Sequence, residues 1–206
     1  LLCGCGTGFS VQKHHIAKLP KFARNPHLVR KDKIHIVDDS IEGWADALGV
    51  LLATYFYHPE FESWLTYNVV FDYSKIRPEG ADLASGVGKA PGPEPLRKAL
   101  DKIRALLDSL VTKGQTELRP IDAYDVMMHA SDAVLSGGVR RSATLCLFSA
   151  DDEEMAKAKT GNWRQENPQR GRSNNSALLI RGETTKEQFA ALMEFVQEYG
   201  EPGFIW

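Results

Sequence analysis

The sequence predicts an α/β fold, because short β-type segments alternate along the chain with longer segments whose apolar residues recur at helical spacing. Loops rich in Gly and Pro separate these segments. The chain has 206 residues, of which 43% are hydrophobic and 25% are charged, so it is long enough to form one well-packed core. We therefore expect one α/β unit, and the sequence shows no internal repeat.

The first third of the chain contains two predicted strands on either side of a helix. An apolar, glycine-rich stretch at residues 1–11 precedes a basic loop, and residues 34–37 then have the composition of a short strand. Ser40 is a favourable N-cap for a helix that starts at Ile41. Residues 66–74 have the composition of the second strand. The predicted apolar face of the helix consists of Trp44, Leu48, Leu51, Leu52 and Tyr55.

A long loop and two helices are predicted next. Residues 75–96 are dense in Gly and Pro, which excludes regular structure over much of this stretch. Pro93 or Pro95 is expected to open the first helix and Gly114 to close it, and the second helix spans about residues 121–135. The predicted apolar face of the first helix consists of Leu96, Leu100, Ile103, Leu107 and Leu110.

The last third of the chain alternates in the same way. Residues 142–148 form an apolar β-type segment, and the acidic stretch at 150–159 predicts a short helix whose Asp and Glu favour its positive N-terminal end. Residues 171–180 are predicted as a loop that leads into a strand. Asn174 and Asn175 are expected in the loop, because Asn tolerates turn conformations.

The C-terminal part predicts one more helix and one more strand. Thr184 and Glu187 have capping-box spacing, and the core face of the helix that follows is Phe189, Leu192, Met193 and Val196. Residues 201–206 lead into a further strand. Both ends of the chain are apolar and lack the polar composition usual for termini, so we expect an internal piece of a longer protein.

Composition and charge exclude several classes of function. The net charge of −2 provides no overall basic field for a nucleic acid polymer or an anionic membrane. No stretch approaches the roughly 18 apolar residues of a membrane helix. The odd set of Cys3, Cys5 and Cys146 has neither redox nor zinc spacing, so we expect a reducing cytoplasmic location and no metal site. Cys146 lies in an apolar segment and is expected to be a small buried side chain.

Gly-rich loops with basic residues carry the functional signal. Glycines let a backbone approach a phosphate closely, and an arginine fork matches phosphate oxygens. The segment SGGVRRS at 136–142 combines both features, and residues 77–92 add glycines together with Arg77 and Lys89. These loops indicate nucleotide binding. Taken alone, the 136–142 segment also fits a helix C-cap with solvated arginines.

Several motifs in a fixed order resemble a known enzyme family. They are GTGFSV, SKIRPEGA followed by GPEPL, SGGVRRSA, RSNNSALL and EPGFIW. Together they resemble the large-subunit catalytic barrel of ribonucleotide reductases, and most closely the adenosylcobalamin-dependent ribonucleoside-triphosphate reductases of class II. The resemblance implies a ten-stranded α/β barrel, of which the chain is the N-terminal part. It also implies reduction of ribonucleotides through a cysteine thiyl radical, with adenosylcobalamin as cofactor and thioredoxin or a similar reductant.

The same resemblance assigns binding roles to three segments. Residues 77–92 resemble the family's first specificity loop, and residues 136–142 resemble the second, which lies between the deoxynucleoside triphosphate effector and the substrate base. The segment at 173–176 is a candidate substrate-side loop. The implied effector and substrate residues are Arg77, Gly80, Lys89, Ser136, Gly137, Gly138, Val139, Arg140, Arg141 and Ser142, followed by Ser173, Asn174, Asn175 and Ser176.

The resemblance also implies an insertion at residues 12–72 within a partial barrel that covers residues 1–206. In monomeric class II enzymes such an insertion replaces the missing partner subunit at the effector site, so a monomeric parent is expected. The radical-bearing cysteine of the family sits in an Asn-x-Cys-x-Glu motif, which this sequence lacks. That motif is expected beyond Trp206 and the first redox cysteine upstream of Leu1, so no catalytic residue is assigned within the chain.

Two functions of different classes stay open at this point. One is a segment of a radical enzyme, and the other is a nucleotide-binding or regulatory module without chemistry of its own. The loops are shared with an iron-dependent two-subunit class, so they do not define the radical generator. They also leave open whether diphosphates or triphosphates are reduced.

Overall fold

The computed structural model describes residues 6–82, 89–135 and 144–206. Within these ranges six strands form two parallel sheets, which agrees with the predicted α/β class, and no helix is long and apolar enough to cross a membrane. Short 3-10 helices lie at Pro59–Trp64 and Pro168–Arg172. The strands are β1 (Thr7–Ser10), β2 (Lys31–Ile36), β3 (Tyr67–Asp72), β4 (Thr144–Ser149), β5 (Asn174–Leu178) and β6 (Gly203–Ile205). The helices are α1 (Lys13–Ile16), α2 (Ile41–Ala53), α3 (Glu94–Thr112), α4 (Pro120–Leu135), α5 (Glu153–Ala156), α6 (Trp163–Glu166) and α7 (Lys186–Tyr199).

The larger sheet has the strand order β1-β4-β5-β6, and all its neighbouring strands are parallel. Cys146 in β4 lies in register with Phe9 in β1 and Asn175 in β5. Residues in register on parallel strands point to the same face of the sheet, and residues alternate between the two faces along each strand. The register therefore defines which side chains share a surface.

One face of this sheet is covered by helices. A buried cluster joins strand residues on this face to residues of α4, α5 and α7. The residues one position along each strand, including Leu145, Leu147 and Leu178, point the other way and stay partly exposed. The second face, which we call the open face, therefore carries Gly8, Leu145, Leu147, Asn174, Ser176 and Leu178. The helix-covered cluster includes Val11, Tyr124, Met128, Cys146, Phe148, Ala177 and Leu192.

The smaller sheet belongs to a β2-α2-β3 unit, which lies between β1 and β4 in the sequence. In space β1 and β4 are neighbouring strands of the larger sheet. β2 and β3 pair in parallel from Lys31 opposite Tyr67 to Ile36 opposite Asp72. Helices α2 and α3 pack beside this sheet and bury Leu51, Leu100 and other residues in a second core cluster. The predicted apolar face of α3 is therefore confirmed. In α2 only Leu51 of the predicted face is fully buried, its other predicted positions are partly buried, and Tyr55 lies beyond the end of the helix.

Local sequence signals place most helix ends. The Ser40 side chain accepts a hydrogen bond of 2.9 Å from the Gly43 amide at the start of α2. Pro93 caps α3, which ends at Thr112, and Gly114 follows with a positive φ of 78°. In the acidic segment the Asp152 side chain accepts from the Met155 amide, so α5 is a single short turn of helix.

The capping box of the last helix lies one residue later than predicted. Thr185 is the N-cap of α7, its side chain accepts from the Gln188 amide, and the Gln188 side chain accepts from the Thr185 amide. The Thr184 hydroxyl instead accepts from the Ile180 amide at 3.1 Å in the preceding turn. Because that turn occupies Thr184, the neighbouring threonine caps the helix, and the predicted pair of Thr184 and Glu187 is wrong.

The predicted loop at Asn174 and Asn175 is also wrong. Both residues lie in β5, which pairs with β4 on one side and with β6 on the other. Asn175 is buried with 2% of its surface exposed, whereas Asn174 is exposed. The pairing of both residues with β4 overrides the local turn preference of asparagine. The strand predicted at 34–37 likewise begins earlier, because β2 pairs along its length with β3.

Candidate nucleotide-binding site

The carboxyl ends of β2 and β3 meet at one edge of the smaller sheet because the two strands are parallel. Asp38 and Asp39 follow β2, and Lys75 and Arg77 follow β3. The Lys75 ammonium lies 2.7 Å from Asp38, and Arg77 Nε lies 2.6 Å from an Asp39 carboxylate oxygen. Two ion pairs therefore tie the start of the 77–92 loop to the turn that leads into α2.

These ion pairs differ in burial. About a third of each side chain in the Arg77 and Asp39 pair is exposed, whereas more than half of each side chain is exposed in the Lys75 and Asp38 pair. A hydrogen bond and the positive charge of Lys75 lower the pKa of Asp38. The turn that presents both aspartates is tight, since a side-chain carbon at Gly43 would overlap the Asp38 carbonyl group.

The base of the 77–92 loop is closed by backbone hydrogen bonds. The Gly80 amide donates to the Ala90 carbonyl oxygen at 2.9 Å, and the Ala90 amide donates to the Ala81 carbonyl oxygen at 2.8 Å. Asp82 and Lys89 form an antiparallel bridge, and their side chains form an exposed ion pair of 2.5 Å. Residues 83–88 lie outside the described residues. The loop therefore has a fixed base on which Arg77, Gly80 and Lys89 lie together.

Gly92 is required for this closure. Its φ is +70°, in the region that favours glycine, and an added Cβ would lie 2.9 Å from the Glu79 backbone nitrogen. Both its conformation and its packing against Glu79 therefore exclude a side chain.

We expect Gly92→Ala to open the base of the loop. A left-handed backbone costs a residue with a Cβ about 1–2 kcal/mol, and the contact with Glu79 adds to this cost. Amide exchange at Ala90 is expected to become about tenfold faster or more. Gly114→Ala is the matched control, because Gly114 has a similar φ of +78° with no atom within 4 Å of an added Cβ. Equal exchange at Ala90 in the two variants would contradict the role of Gly92.

The second predicted loop lies outside the described residues. It contains Ser136, Gly137, Gly138, Val139, Arg140, Arg141 and Ser142, and the described chain ends at the last residue of α4 before it and resumes at Thr144 in β4 after it. Its assignment stays a prediction from the sequence.

The third predicted segment, residues 173–176, consists of Ser173 and the first three residues of β5. Ser173 Oγ donates to Asn175 Oδ1 at 2.8 Å, and the Tyr124 hydroxyl lies 3.1 Å from both Ser173 Oγ and the Arg170 carbonyl oxygen. Burial raises the pKa of Tyr124, so this hydroxyl stays protonated. Asn175 faces the helices, whereas Asn174 and Ser176 lie on the open face of the sheet. Of these two, Asn174 is exposed, whereas Ser176 is only 7% exposed and lies beside Gly203 of β6.

Cys146 is confirmed as a small buried side chain. It is 0% exposed, and burial raises the pKa of its thiol to about 12. A thiol with so high a pKa is neutral near pH 7 and is a poor nucleophile.

Asp39 is a site residue that the sequence analysis missed. Two adjacent aspartates directly after a predicted strand were the available signal, because α/β folds place their sites at the carboxyl ends of strands. The pairing of β2 with β3, which puts Asp39 beside Arg77, could not be deduced from either segment alone.

Comparisons with known proteins agree with this arrangement. Residues 16–107 match the family model described as the B12-dependent ribonucleotide reductase, insertion domain. The adenosylcobalamin-dependent ribonucleoside-triphosphate reductase of Lacticaseibacillus paracasei is 32% identical over 237 aligned positions, which cover all of this chain and 30% of that protein. The enzyme of the same name from Euglena gracilis is 30% identical, over 83% of this chain and 22% of its own length.

A crystal structure of a B12-dependent (class II) ribonucleotide reductase superposes with a TM-score of 0.78 and 27% identity, covering 99% of this chain and 30% of that one. The fold and the sequence matches together place the chain among the ribonucleotide reductases by family. The chain belongs to the B12-dependent, class II family of these enzymes, and it spans less than a third of the length of the relatives described.

Proposed function

We propose that the chain supplies effector and substrate binding loops to a ribonucleoside-triphosphate reductase that uses thiyl radical chemistry. The structural match over 99% of the chain carries this proposal, since it spans the segments on both sides of every predicted loop. Reduction replaces the ribose 2′-hydroxyl with hydrogen, with electrons from a thioredoxin-type reductant. The chain contributes binding and not the radical cysteine, because its sequence lacks the Asn-x-Cys-x-Glu motif.

The effector site is proposed at the 77–92 and 136–142 loops. Arg77 is paired with Asp39, and Lys89 is paired with Asp82. The Lys89 and Asp82 pair is exposed, and exposed ion pairs are worth only about 0–1 kcal/mol, so a polyanionic triphosphate can displace this carboxylate at low cost. The deoxynucleoside triphosphate effector would then exchange carboxylate contacts for phosphate contacts at the base of the loop.

The substrate side is proposed on the open face of the larger sheet. Asn174 presents an amide there, and Ser176 lies beside Gly203 of β6, where an added Cβ would lie 3.0 Å from Ser176 Oγ. Small residues at the start of adjacent strands let a ribonucleotide approach the backbone closely. This face would line the interior of the complete ten-stranded barrel.

The insertion at residues 12–72 is proposed to stand in for a partner subunit. The β2-α2-β3 unit supports this role because its first turn contributes the aspartates that tether the 77–92 loop. A parent protein built in this way would complete its effector site as a monomer. We place such a parent in the cytoplasm.

Adenosylcobalamin is the proposed cofactor of the parent, and it would supply the radical when bound. A cavity of about 560 Å³ lies between β1, α2 and α4, but most of its lining is apolar, including Phe9, Leu52 and Met127. A corrinoid is larger and carries many amide groups that need polar partners, so this cavity does not fit it. We assign none of the described residues to the cofactor.

Arg140→Ala or Arg141→Ala in the full-length protein is expected to weaken nucleotide binding about tenfold or more, or to uncouple the effector from substrate choice. A hydrogen bond from arginine to an ionised oxygen is worth about 1.5–3 kcal/mol, which sets this magnitude. The measurement is the relative reduction rate of each ribonucleotide with each deoxynucleotide effector in turn. Arg181→Ala, at an exposed position in the turn before α7, is the matched control.

Two outcomes would count against these proposals, and they differ. Variants that bind nucleotides and choose substrates as the wild type does would make the arginine pair a solvated helix cap. A full-length protein that binds nucleotides but reduces none of them would favour a regulatory module over a reductase.

A further inference from the structure

A buried lysine joins the starts of two strands of the larger sheet. Lys159 is 6% exposed and lies in the turn between α5 and α6. Its ammonium group donates to the Ser173 carbonyl oxygen, directly before β5, and lies 2.9 Å from a carboxylate oxygen of Glu201, which precedes β6. One cation therefore fixes three segments of chain relative to one another.

Stability alone does not account for this cation. Burial lowers the pKa of Lys159, whereas the hydrogen bond and the charge of Glu201 oppose that change, so the pair carries a desolvation cost. Replacement of a buried ion pair by uncharged side chains of similar size is often neutral or stabilising. The ion pair is better explained by the geometry that it imposes on the Ser173 carbonyl group.

The Ser173 position is held from two directions. The Lys159 ammonium binds its carbonyl oxygen, and its side chain lies between the Tyr124 hydroxyl of α4 and Asn175 Oδ1. The next residue is Asn174, which with Ser176 faces the open side of the sheet. A displacement of Ser173 would move Asn174, because the two residues share a peptide plane.

We propose that Lys159 is a positioning residue that holds Asn174 and Ser176 in place for the ribonucleotide. The proposal rests on the proposed function, in which these two residues line the substrate side. Lys159 itself is buried behind β5 and acts through the Ser173 backbone.

The test uses three variants of the full-length protein. Lys159→Met combined with Glu201→Gln removes both charges, so no buried charge is left unpaired. Lys157→Met is the matched control, because Lys157 forms an exposed pair with Glu153 at 3.2 Å in the same turn region. Lys159→Met alone shows the cost of leaving Glu201 without its partner. The readouts are melting temperature, kcat and KM for each ribonucleotide, and amide exchange at Asn175 and Ser176.

The double variant is expected to melt within a few degrees of the wild type, because the unpaired charge is gone. Its KM for ribonucleotides is expected to rise about tenfold, the scale of one hydrogen bond to a charged group, with kcat changed less than about threefold. Amide exchange at Asn175 and Ser176 is expected to become faster than in Lys157→Met. A purely structural role would not raise KM in a variant of wild-type stability.

An active double variant with unchanged KM would overturn the role of Lys159 and leave the proposed function standing. A wild-type protein that reduces no ribonucleotide would overturn the proposed function, and the role of Lys159 with it. The two failures are distinguishable because the first requires an active enzyme.

Discussion

The 206-residue chain on its own is expected to reduce no ribonucleotide, whereas we expect the full-length protein to do so with adenosylcobalamin and a dithiol. Thiyl chemistry needs a cysteine that can reach the ribose and a reducible thiol pair. Cys146 meets neither requirement, since it is 0% exposed and lies on the helix-covered face of the sheet. Cys3 and Cys5 lie outside the described residues, and neither stands in an Asn-x-Cys-x-Glu motif.

Cys146→Ala in the full-length protein tests whether Cys146 takes part in the reaction. Deoxynucleotide formation is expected to stay within about threefold of the wild type, because the substitution removes only a small buried side chain and destabilises on the order of 1 kcal/mol. Turnover by the 206-residue chain above a no-protein control would contradict the expectation. Loss of activity in Cys146→Ala at an unchanged melting temperature would contradict it as well.

The local sequence pattern was sufficient to predict those helices and helix ends that are determined by their own residues. The apolar spacing of α3 predicted a helical face that is buried in the structure, and Ser40 and Gly114 marked helix ends correctly. The α/β class followed from alternation alone. These features depend on the backbone preferences of single residues and on the spacing at which apolar residues recur. Both can be read from a short stretch of sequence.

Errors arose where a competing partner decides the conformation. Asn174 and Asn175 are turn formers by local preference, yet both pair with β4 and lie in a strand. That strand is far away in the sequence, so no local window contains it, and tertiary context overrides propensity. The error at Thr184 is local, because its hydroxyl accepts from the Ile180 amide four residues earlier and two adjacent threonines compete for the cap.

The candidate site was predictable in part for the same reason. Arg77 and Lys89 were visible as cations in a glycine-rich loop, and the structure places both at the base of that loop. Their carboxylate partners were not visible, because Asp39 reaches Arg77 only through the parallel pairing of β2 with β3. The family motifs gave loop identities that spacing alone did not give.

The buried ion pair of Arg170 with Asp125 is the second feature whose loss is expected to have a large effect. Arg170 Nε and Nη2 lie 2.8 and 2.6 Å from the two Asp125 carboxylate oxygens, and the side chains are only 14% and 11% exposed. Arg170 Nη1 also donates to the Ala158 carbonyl oxygen at 2.9 Å. The pair thus joins α4, the α5–α6 turn and the segment before β5.

Arg170→Met is expected to lower the free energy of opening of this region by about 3–5 kcal/mol, because it leaves the Asp125 carboxylate buried without its cation. Amide protection in α4 of the full-length protein should therefore fall by about a hundredfold to a few thousandfold. Arg172→Met is the matched control, since Arg172 pairs with Asp132 of the same helix and its side chain is 44% exposed. Exposed pairs are worth about 1 kcal/mol or less.

Adding Asp125→Leu to Arg170→Met should restore most of the lost protection, because no unpaired charge stays buried. Equal protection in the Arg170 and Arg172 variants would mean that water reaches Asp125, and that the pair is held without a desolvation cost.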